Sequence, residues 1–390
     1  MLGGIAIGTS EFTPMGLLPD IASGVDVSIT AAGHLISAYA LGVVVGAPLL
    51  AVLCAQYPRR ALLVWLLIIY LVGNIASAVA PTYPSLLVAR FVTGLPHGAY
   101  FGVAALVAAQ LAGPKMRGWA IARVMLGLSL ATVVTVPLLT ALGHSAGWRP
   151  VFMVVSAIAA AAAFLLWRNV PYIAADPSSS IRGELGALKN PQVLLTLGVG
   201  ALGFAGMFAV YSYITPTLTE RTGVAASTVP IYLLVWGVGM VSGNLLGGRL
   251  VDRSVLGTLA GGLAAFALVL TVFAGASLNR YTALLGVFAL GHVQILAPAL
   301  QARLMDVAGD AQTLAATMMH ASVNTANALG PWLAGIAFTA TATWAAPSLT
   351  GATLATAGLA LLGISLLASS RNTAASASAP KPTDSAEFPT

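Results

Sequence analysis

The chain has 390 residues, 58% of them hydrophobic and only 7% charged, against roughly 25% charged in an ordinary soluble domain, so its solvent is lipid and it reads as a polytopic membrane protein. The formal net charge of +6 comes from 17 Lys and Arg against 11 Asp and Glu. These cations stand singly in the breaks between apolar runs and build no basic stripe with interleaved aromatics, which argues against nucleic acid as a partner, and the one cysteine, Cys54, excludes an intrachain disulfide or a Cys-based metal site.

Runs of about 20 apolar residues cross the hydrocarbon core as helices, and no alternating β-barrel pattern occurs. Twelve spans are predicted, at 2–20, 29–53, 61–80, 84–111, 118–142, 150–167, 193–216, 226–250, 257–277, 281–302, 313–340 and 349–369. No basic n-region of a cleavable signal precedes the first span, which opens directly after Met1 with LGGIAIG; a start upstream of Met1 fits this short first span. Span 1 contains IAIGTSEFTPMGLLPD, with Glu11 in an otherwise apolar and small-residue run. Span 2 holds His34 and ends in GAPLLAVLCAQYPRR, whose counterpart GNLLGGRLVDRSVLG follows span 8. This weak repeat sits at the same place in two units of six spans. Span 4 carries Arg90, His97 and glycines 94, 98 and 102, and span 8 carries glycines 239, 243 and 247. Small residues four apart form a groove along one helix face and admit a second backbone.

Residues 168–192 contain five charged residues and three prolines and read as a linker between the halves, with SIRGELGALKN either a short surface helix or plain coil. The domains expected are therefore 1–167, the linker, 193–369, and a disordered tail over 370–390 that is rich in Ser, Ala and Pro. Twelve Lys and Arg fall in the breaks after even-numbered spans and in the tail, among them Arg59, Arg60, Lys115, Arg117, Arg249 and Arg253, while Arg149, Arg221 and Arg280 alone fall on the other side. That bias puts both termini in the cytoplasm.

Three ionised side chains lie inside spans, Glu11, Arg90 and, one turn into span 5, Arg123. A charge at bilayer depth costs from about 2.5 kcal/mol upward, which makes each a functional candidate. At roughly 1.5 Å per residue, Glu11 lies about 13 Å and Arg90 about 9 Å below the outer surface. Facing one water-filled cavity, Arg90 would hold Glu11 ionised until a substrate or a conformational change separates them, and the carboxylate would then take up a proton. The alternatives are a permanent structural ion pair and substrate recognition without protonation. His97 stands seven residues from Arg90 on the same face, and His34, His292 and His320 also lie inside spans; each is a proton carrier or a packed, hydrogen-bonded imidazole. Span 11 places His320, Asn324 and Asn327 on one face of HASVNTANALGPW, lining the pathway or bridging helices. Phe208 and Tyr211 in span 7 and Trp236 in span 8 offer stacking surface to a solute or simple packing. The histidines show no metal-ligand spacing, and neither a catalytic signature nor a P-loop occurs, so neither an enzyme nor a cofactor is expected.

GTSEFTPMGLLPDIA, SAYALGVVVGAPLLAVL, YPRR, ARFVTGLPHGAYFGVAALVAA and GWRPVF together resemble the major facilitator superfamily over nearly all of residues 1–370. The resemblance is to its twelve-span drug:proton antiporters, and within them to bacterial inner-membrane efflux proteins of the arabinose or sugar type. It implies an all-α fold of two pseudo-symmetric six-helix bundles, alternating access in a monomer, and export of a sugar, nucleoside-like or drug-like solute against protons. Import of a solute, or sensing without transport, stays open. Arg90 matches the arginine implicated in proton coupling. Arg59 and Arg60 match the end of the loop motif Gly-x-x-x-Asp-Arg-x-Gly-Arg-Arg, whose acidic position holds Ala55, while the second half keeps Gly248, Asp252 and Arg253. Gly127, Pro137 and Gly143 resemble the span 5 antiporter motif, which implies a role at the interface between the halves.

Overall fold

Lipid offers no partner to a peptide group, so each apolar run satisfies its own backbone by closing into a helix. The computed structural model describes residues 1–27, 29–54, 56–174, 189–225, 228–309 and 311–377, and among these no strand occurs. Six helices form the first half: α1 (Leu2–Gly16, continued by Leu18–Gly24), α2 (Ile29–Leu53), α3 (Arg59–Val79), α4 (Tyr83–Ala112), α5 (Arg117–Leu130, a π turn over Ala131–Thr135, then Val136–Ala146) and α6 (Trp148–Asn169). The second half contains α7 (Pro191–Tyr211, then Ile214–Pro216 and a π turn over Thr217–Arg221), α8 (Val229–Val251), α9 (Val255–Ala276), α10 (Arg280–Gly291, a 3-10 turn over His292–Ile295, then Leu296–Val307), α11 (Gln312–Thr341) and α12 (Ala346–Ala377). The predicted spans coincide with these helices to within a few residues, except that α12 runs on past the expected start of the tail, through an Ala-rich stretch with good helix propensity. The linker segment 175–188 and residues 378–390 lie outside the described residues.

The interruptions have prolines behind them. Pro216 has no N–H to return to the Ser212 carbonyl, and α7 breaks at Ser212–Tyr213; Pro298 and Pro137 stand just after the 3-10 turn of α10 and the π turn of α5. In α1, Pro14 precedes a break at Leu17.

Glycine spacing sets the helix crossings, and it does so twice. A Cβ on Gly42 of α2 would collide with the Phe91 carbonyl oxygen of α4, and one on Gly239 of α8 would collide with the Phe288 carbonyl oxygen of α10. The next glycine of each helix, Gly46 and Gly243, meets the backbone of Leu95 and His292. Phe91-Val-Thr-Gly and Phe288-Ala-Leu-Gly thus fill equivalent places, which is the pseudo-twofold relation of the halves written in contacts. The α4–α5 and α10–α11 turns are matched as well, each closed by a glycine in the left-handed region, Gly113 at φ 72° and Gly309 at φ 57°.

Of the apolar window of α4, 78% is buried inside the protein, against 28% for α9; α4 is an inner helix and α9 an outer one. Large apolar side chains including Trp65, Leu138, Phe164, Leu268, Leu285 and Leu367 point outward, a lipid-facing surface far beyond what a soluble monomer exposes. The starts of α3, α5 and α11 and the ends of α8 and α10 meet at one end of the molecule, where Arg59 bonds Thr313, Arg117 pairs with Asp306 and Asp252 bonds Gly118. This end carries Arg59, Arg60, Lys115, Arg117, Arg249 and Arg253 and is called the basic face below.

Candidate functional site

Among the described residues, ten helices are long and apolar enough to cross a membrane. The other two are α1, whose first stretch has only 15 residues, and α11, whose apolar pattern is interrupted by His320, Ser322, Asn324, Thr325 and Asn327. These two bring polar groups to the centre. They are tolerated there because their neighbours, not lipid, surround them: Glu11 is 7% exposed, Ser10 1%, His320 4% and Asn324 3%.

Around α1 the first half builds a continuous polar network. The Arg90 guanidinium donates from Nη1 to Ser10 Oγ at 3.0 Å, and Ser10 Oγ donates to Asn74 Oδ1 at 2.7 Å. Asn74 returns its amide to the Tyr70 carbonyl at 2.9 Å, and the Tyr70 hydroxyl donates to the Ile7 carbonyl at 3.2 Å. Arg90 is 1% exposed, and its guanidinium carbon lies 4.4 Å from the Tyr39 ring centre and 5.7 Å from that of Phe152. This cation is therefore held by aromatic faces and a hydroxyl. Among the described residues the ion pairs are Arg117–Asp306 and His144–Asp20, so Arg90 reaches the residue next to Glu11 and not Glu11 itself. Oε2 of Glu11 is sealed from solvent and accepts no hydrogen bond. A buried carboxylate without donors is poorly stabilised as an anion, which is the condition for a group that gains and loses a proton.

Tyr39 carries the network to the second half. Its hydroxyl lies 3.4 Å from that of Tyr70 and 2.9 Å from His97 Nδ1, and His97 Nε2 lies 3.1 Å from His320 Nδ1 on α11. Arg90 and His97, seven residues apart on α4, are thus bridged by one side chain, Tyr39. Phe101, one turn beyond His97, stacks on the His320 ring with centroids 4.4 Å apart. α4 and α11 approach closely enough for this because of glycine: a Cβ at Gly102 would stand 2.6 Å from the Thr317 backbone nitrogen. Of the predicted groove, Gly102 takes α11, Gly94 takes α2, and Gly98 between them meets Ala47 of α2 and Thr317 of α11. Sequence reading missed Ser10, Tyr39, Tyr70, Asn74 and Phe101; the available signal was polar and aromatic residues in otherwise aliphatic spans.

The second half adds buried polar atoms without partners: Asn324 Oδ1, both amide atoms of Asn244, Gln301 Oε1 and Trp236 Nε1. Trp236 packs edge-on to Tyr211, ring centres 5.3 Å apart, and Phe208 is buried beside them on α7. Asn327 is half-buried. His34 lies on an exposed part of α2 and bonds the Tyr83 hydroxyl at 3.1 Å, away from the network. Arg123 lies 4.4 Å over the Trp119 ring.

The loop motifs meet across the halves. Asp252 accepts from the Gly118 and Trp119 backbone N–H groups at 2.7 and 3.3 Å, capping the free N-terminus of α5, while a Cβ on Gly248 would fall 2.6 Å from that of Ala122. On the symmetry-related side Arg59 donates to Thr313 in the first turn of α11 at 3.0 Å. Thr317 adds a bond to the Ala47 carbonyl at 3.3 Å and Arg117 an ion pair to Asp306 at 2.8 Å. Arg253 is exposed and Arg60 half-buried. Gly127 packs against Gly4 of α1 and Gly143 against Leu17, so both serve contacts within the first half; at this level it is Val133 of α5 that meets α8, at Gly237. Pro137 is exposed.

These contacts shut the basic face down to mid-depth, where His97 meets His320. A cavity of about 770 Å³ remains at its rim, lined among others by Arg59, Gln110, Arg117, Tyr172 and Gln312. At the opposite face an open groove of about 610 Å³ runs between α7 and α11, lined by Tyr213, Pro331, Trp332 and Phe338.

A protein with this helix arrangement has known counterparts. The solved structure of the transporter FucP in its outward conformation superposes with a TM-score of 0.75 over 93% of this chain and 97% of that one, at 16% identity. Among sequences, the inner membrane transport protein YdhP of Escherichia coli K12 is 40% identical over 362 residues, 93% of this chain and 92% of that protein. The chloramphenicol resistance protein of Streptomyces lividans is 35% identical over 337 residues, 84% and 85% of the two chains. The family model of the Major Facilitator Superfamily matches residues 1–331. The chain is a multi-pass membrane transporter, not an enzyme, and it belongs to the Major Facilitator Superfamily.

Proposed function

We propose that this transporter exports a small, weakly charged solute from the cytoplasm in exchange for protons. The observation that carries the reading is Glu11, a buried carboxylate on a transmembrane helix with an oxygen that no donor satisfies, one residue from the hydroxyl that holds Arg90. A permanent structural carboxylate would be tied by its neighbours; this one has the surroundings of a group that changes charge. The bias of Lys and Arg supports a cytoplasmic basic face, and contacts that close that face are what an outward-facing conformation requires. Residues 1–167 and 193–369 then act as two bodies that rock about the central site, joined by the linker. The aromatic groove between α7 and α11 and the Tyr211–Trp236 pair suit a flat, amphipathic solute, in keeping with the chloramphenicol resistance named for the Streptomyces relative.

The test is reconstitution into liposomes with an imposed pH gradient, with chloramphenicol and a pentose as probes. Wild type is expected to drive solute against the proton gradient. Glu11→Gln is expected to lose gradient-driven flux by at least about tenfold while keeping solute-for-solute exchange. Gradient-driven flux at the wild-type level in Glu11→Gln would remove this carboxylate from coupling, and flux that runs with the protons would make the protein an importer.

A further inference from the structure

The His97–His320 contact joins the two halves at the deepest point of the closed side, and nothing in the coupling chemistry of Glu11 requires it. The contacts form a chain that neutral rings satisfy. Tyr70 donates its hydroxyl to the Ile7 carbonyl; with Tyr39 donating to Tyr70, His97 Nδ1–H donates to Tyr39 and His97 Nε2 accepts from His320 Nδ1–H, and the reversed tautomers make the same contacts between the rings. The chain runs from α11 through α4, α2 and α3 to α1. It ends at His320 Nε2, which is buried and without a partner. Both imidazoles are neutral in this arrangement.

A further proton either goes to His320 Nε2 or takes the lone pair that holds the two rings together. Placed on Nε2, it creates a cation against the face of Phe101 with an N–H that nothing accepts. Beyond the cation–π contact with Phe101, the groups around the rings offer neither an acceptor nor an opposite charge. Tyr39 and Tyr70 face the pair from α2 and α3, and Arg90 on α4, itself a cation, lies over the Tyr39 ring. Asn324 on α11 spends its amide on the His320 carbonyl. From α10, Arg303 and Asp306 are engaged at the basic face with Gln192 and Arg117; on α7, Tyr211 packs on Trp236; on α5, Arg123 lies over Trp119. Glu11 of α1 is not among the ion-pair partners of either ring. An unpaired buried charge favours whichever state hydrates it, and here that is the state in which α4 and α11 part.

We propose that His97 and His320 form an inter-half latch, closed while both rings are neutral and released when the pair takes up a proton. The proton binds the open state better than the closed one, so by linkage acidification shifts the population toward opening of the basic face. The proposal presupposes alternating access but not proton coupling at Glu11. Both histidines act as positioning residues in it.

The latch is tested by the separation of α4 from α11. Leu111→Cys and Gln312→Cys, in a Cys54→Ser background, place spin labels at the exposed basic ends of the two helices, and distances are read by electron-electron double resonance in nanodiscs. In the otherwise wild-type protein the ratio of closed to open molecules is expected to fall about tenfold between about pH 8 and about pH 5.5. His97→Gln and His320→Gln should each flatten this response, and the double variant should be no flatter than either single one. His320→Phe keeps the stack on Phe101 but cannot bond His97, and should flatten it equally, which separates the bond from the packing. Glu11→Gln should retain the response. A pH response that survives in both Gln variants, or one abolished by Glu11→Gln alone, overturns the latch; in the second case the coupling role of Glu11 stands without it.

Discussion

Arg90 shows at the scale of one residue how a charge is kept at bilayer depth. Its guanidinium is planar, so two aromatic faces sandwich it while one edge donates to Ser10. An ammonium offers neither the plane nor the fork. Arg90→Lys is therefore expected to lose the Ser10 bond and the Tyr39 contact together, at about 1–3 kcal/mol, visible as a lowered melting temperature in detergent and as loss of solute flux. A melting temperature equal to wild type would show that the aromatic cradle contributes nothing. Glu11 and Arg90 were both legible from sequence as intramembrane ions at similar depth. Their relation was not, because the partners of a buried charge are drawn from helices far apart in the chain. Ser10, Tyr39 and Tyr70 look unremarkable in a linear reading, yet they decide that the arginine stops one residue short of the carboxylate.

Between helices, glycine controls approach, and its effect depends on what stands opposite. At Gly102 the neighbour is the backbone of Thr317, which cannot give way; at Gly261 nothing lies within 4 Å of an added Cβ. Gly102→Val is expected to push α4 off α11 and leave the basic face open, read as faster maleimide labelling of a cysteine placed at Ala316 in a Cys54→Ser background. Gly261→Ala, on the lipid side of α9, is expected to leave labelling and flux unchanged and to stabilise the helix by about 0.5–1 kcal/mol. Equal effects at the two sites would mean that helix propensity, not approach, governs the glycines. The sequence displayed both as helical glycines with equal plainness. Spacing of four marked Gly98 and Gly102 as a groove, but the same spacing includes Gly94, which serves α2; a four-residue stripe drifts around the helix and meets successive neighbours as it goes.

Closure of the whole molecule at the basic face rests on contacts of unequal worth. The Arg117–Asp306 pair is about a third exposed on each side and contributes little, typically under about 1 kcal/mol. Asp252 satisfies two free N–H groups at the start of α5 and sits at the positive end of its dipole. Asp252→Ala should therefore shift the halves toward opening by about 1 kcal/mol, and Asp252→Asn, which still accepts from an N–H, by less; inter-half cross-linking efficiency at the basic ends of α5 and α8 measures both. If Asn and Ala behaved alike, charge rather than capping would be responsible. The first half cannot mirror this cap, since Ala55 stands at its acidic position; its links to α11 include Arg59 to Thr313 and the Ala47 carbonyl to Thr317. The two gates are related by symmetry of fold and differ in chemistry.

The linear chain by itself determined the solvent, the number of crossings and the kinship of the halves. Those follow from hydropathy over about 20 residues, from the sparsity of charge and from local motifs, and lipid leaves the backbone no choice but the helix. It also showed which spans carry ionisable groups at depth, with Glu11 in α1, Arg90 and His97 in α4, and His320 with its neighbouring asparagines in α11. What only the tertiary structure decided is which of these groups meet: that His97 bonds across the interface to His320, that His34 stands apart, that Gly127 serves α1, and that Arg90 and Glu11 are neighbours without being a pair. Helix rotation and crossing angle fix such meetings, and both are set by side-chain packing between segments as much as 270 residues apart, a distance over which no periodicity in the sequence carries information.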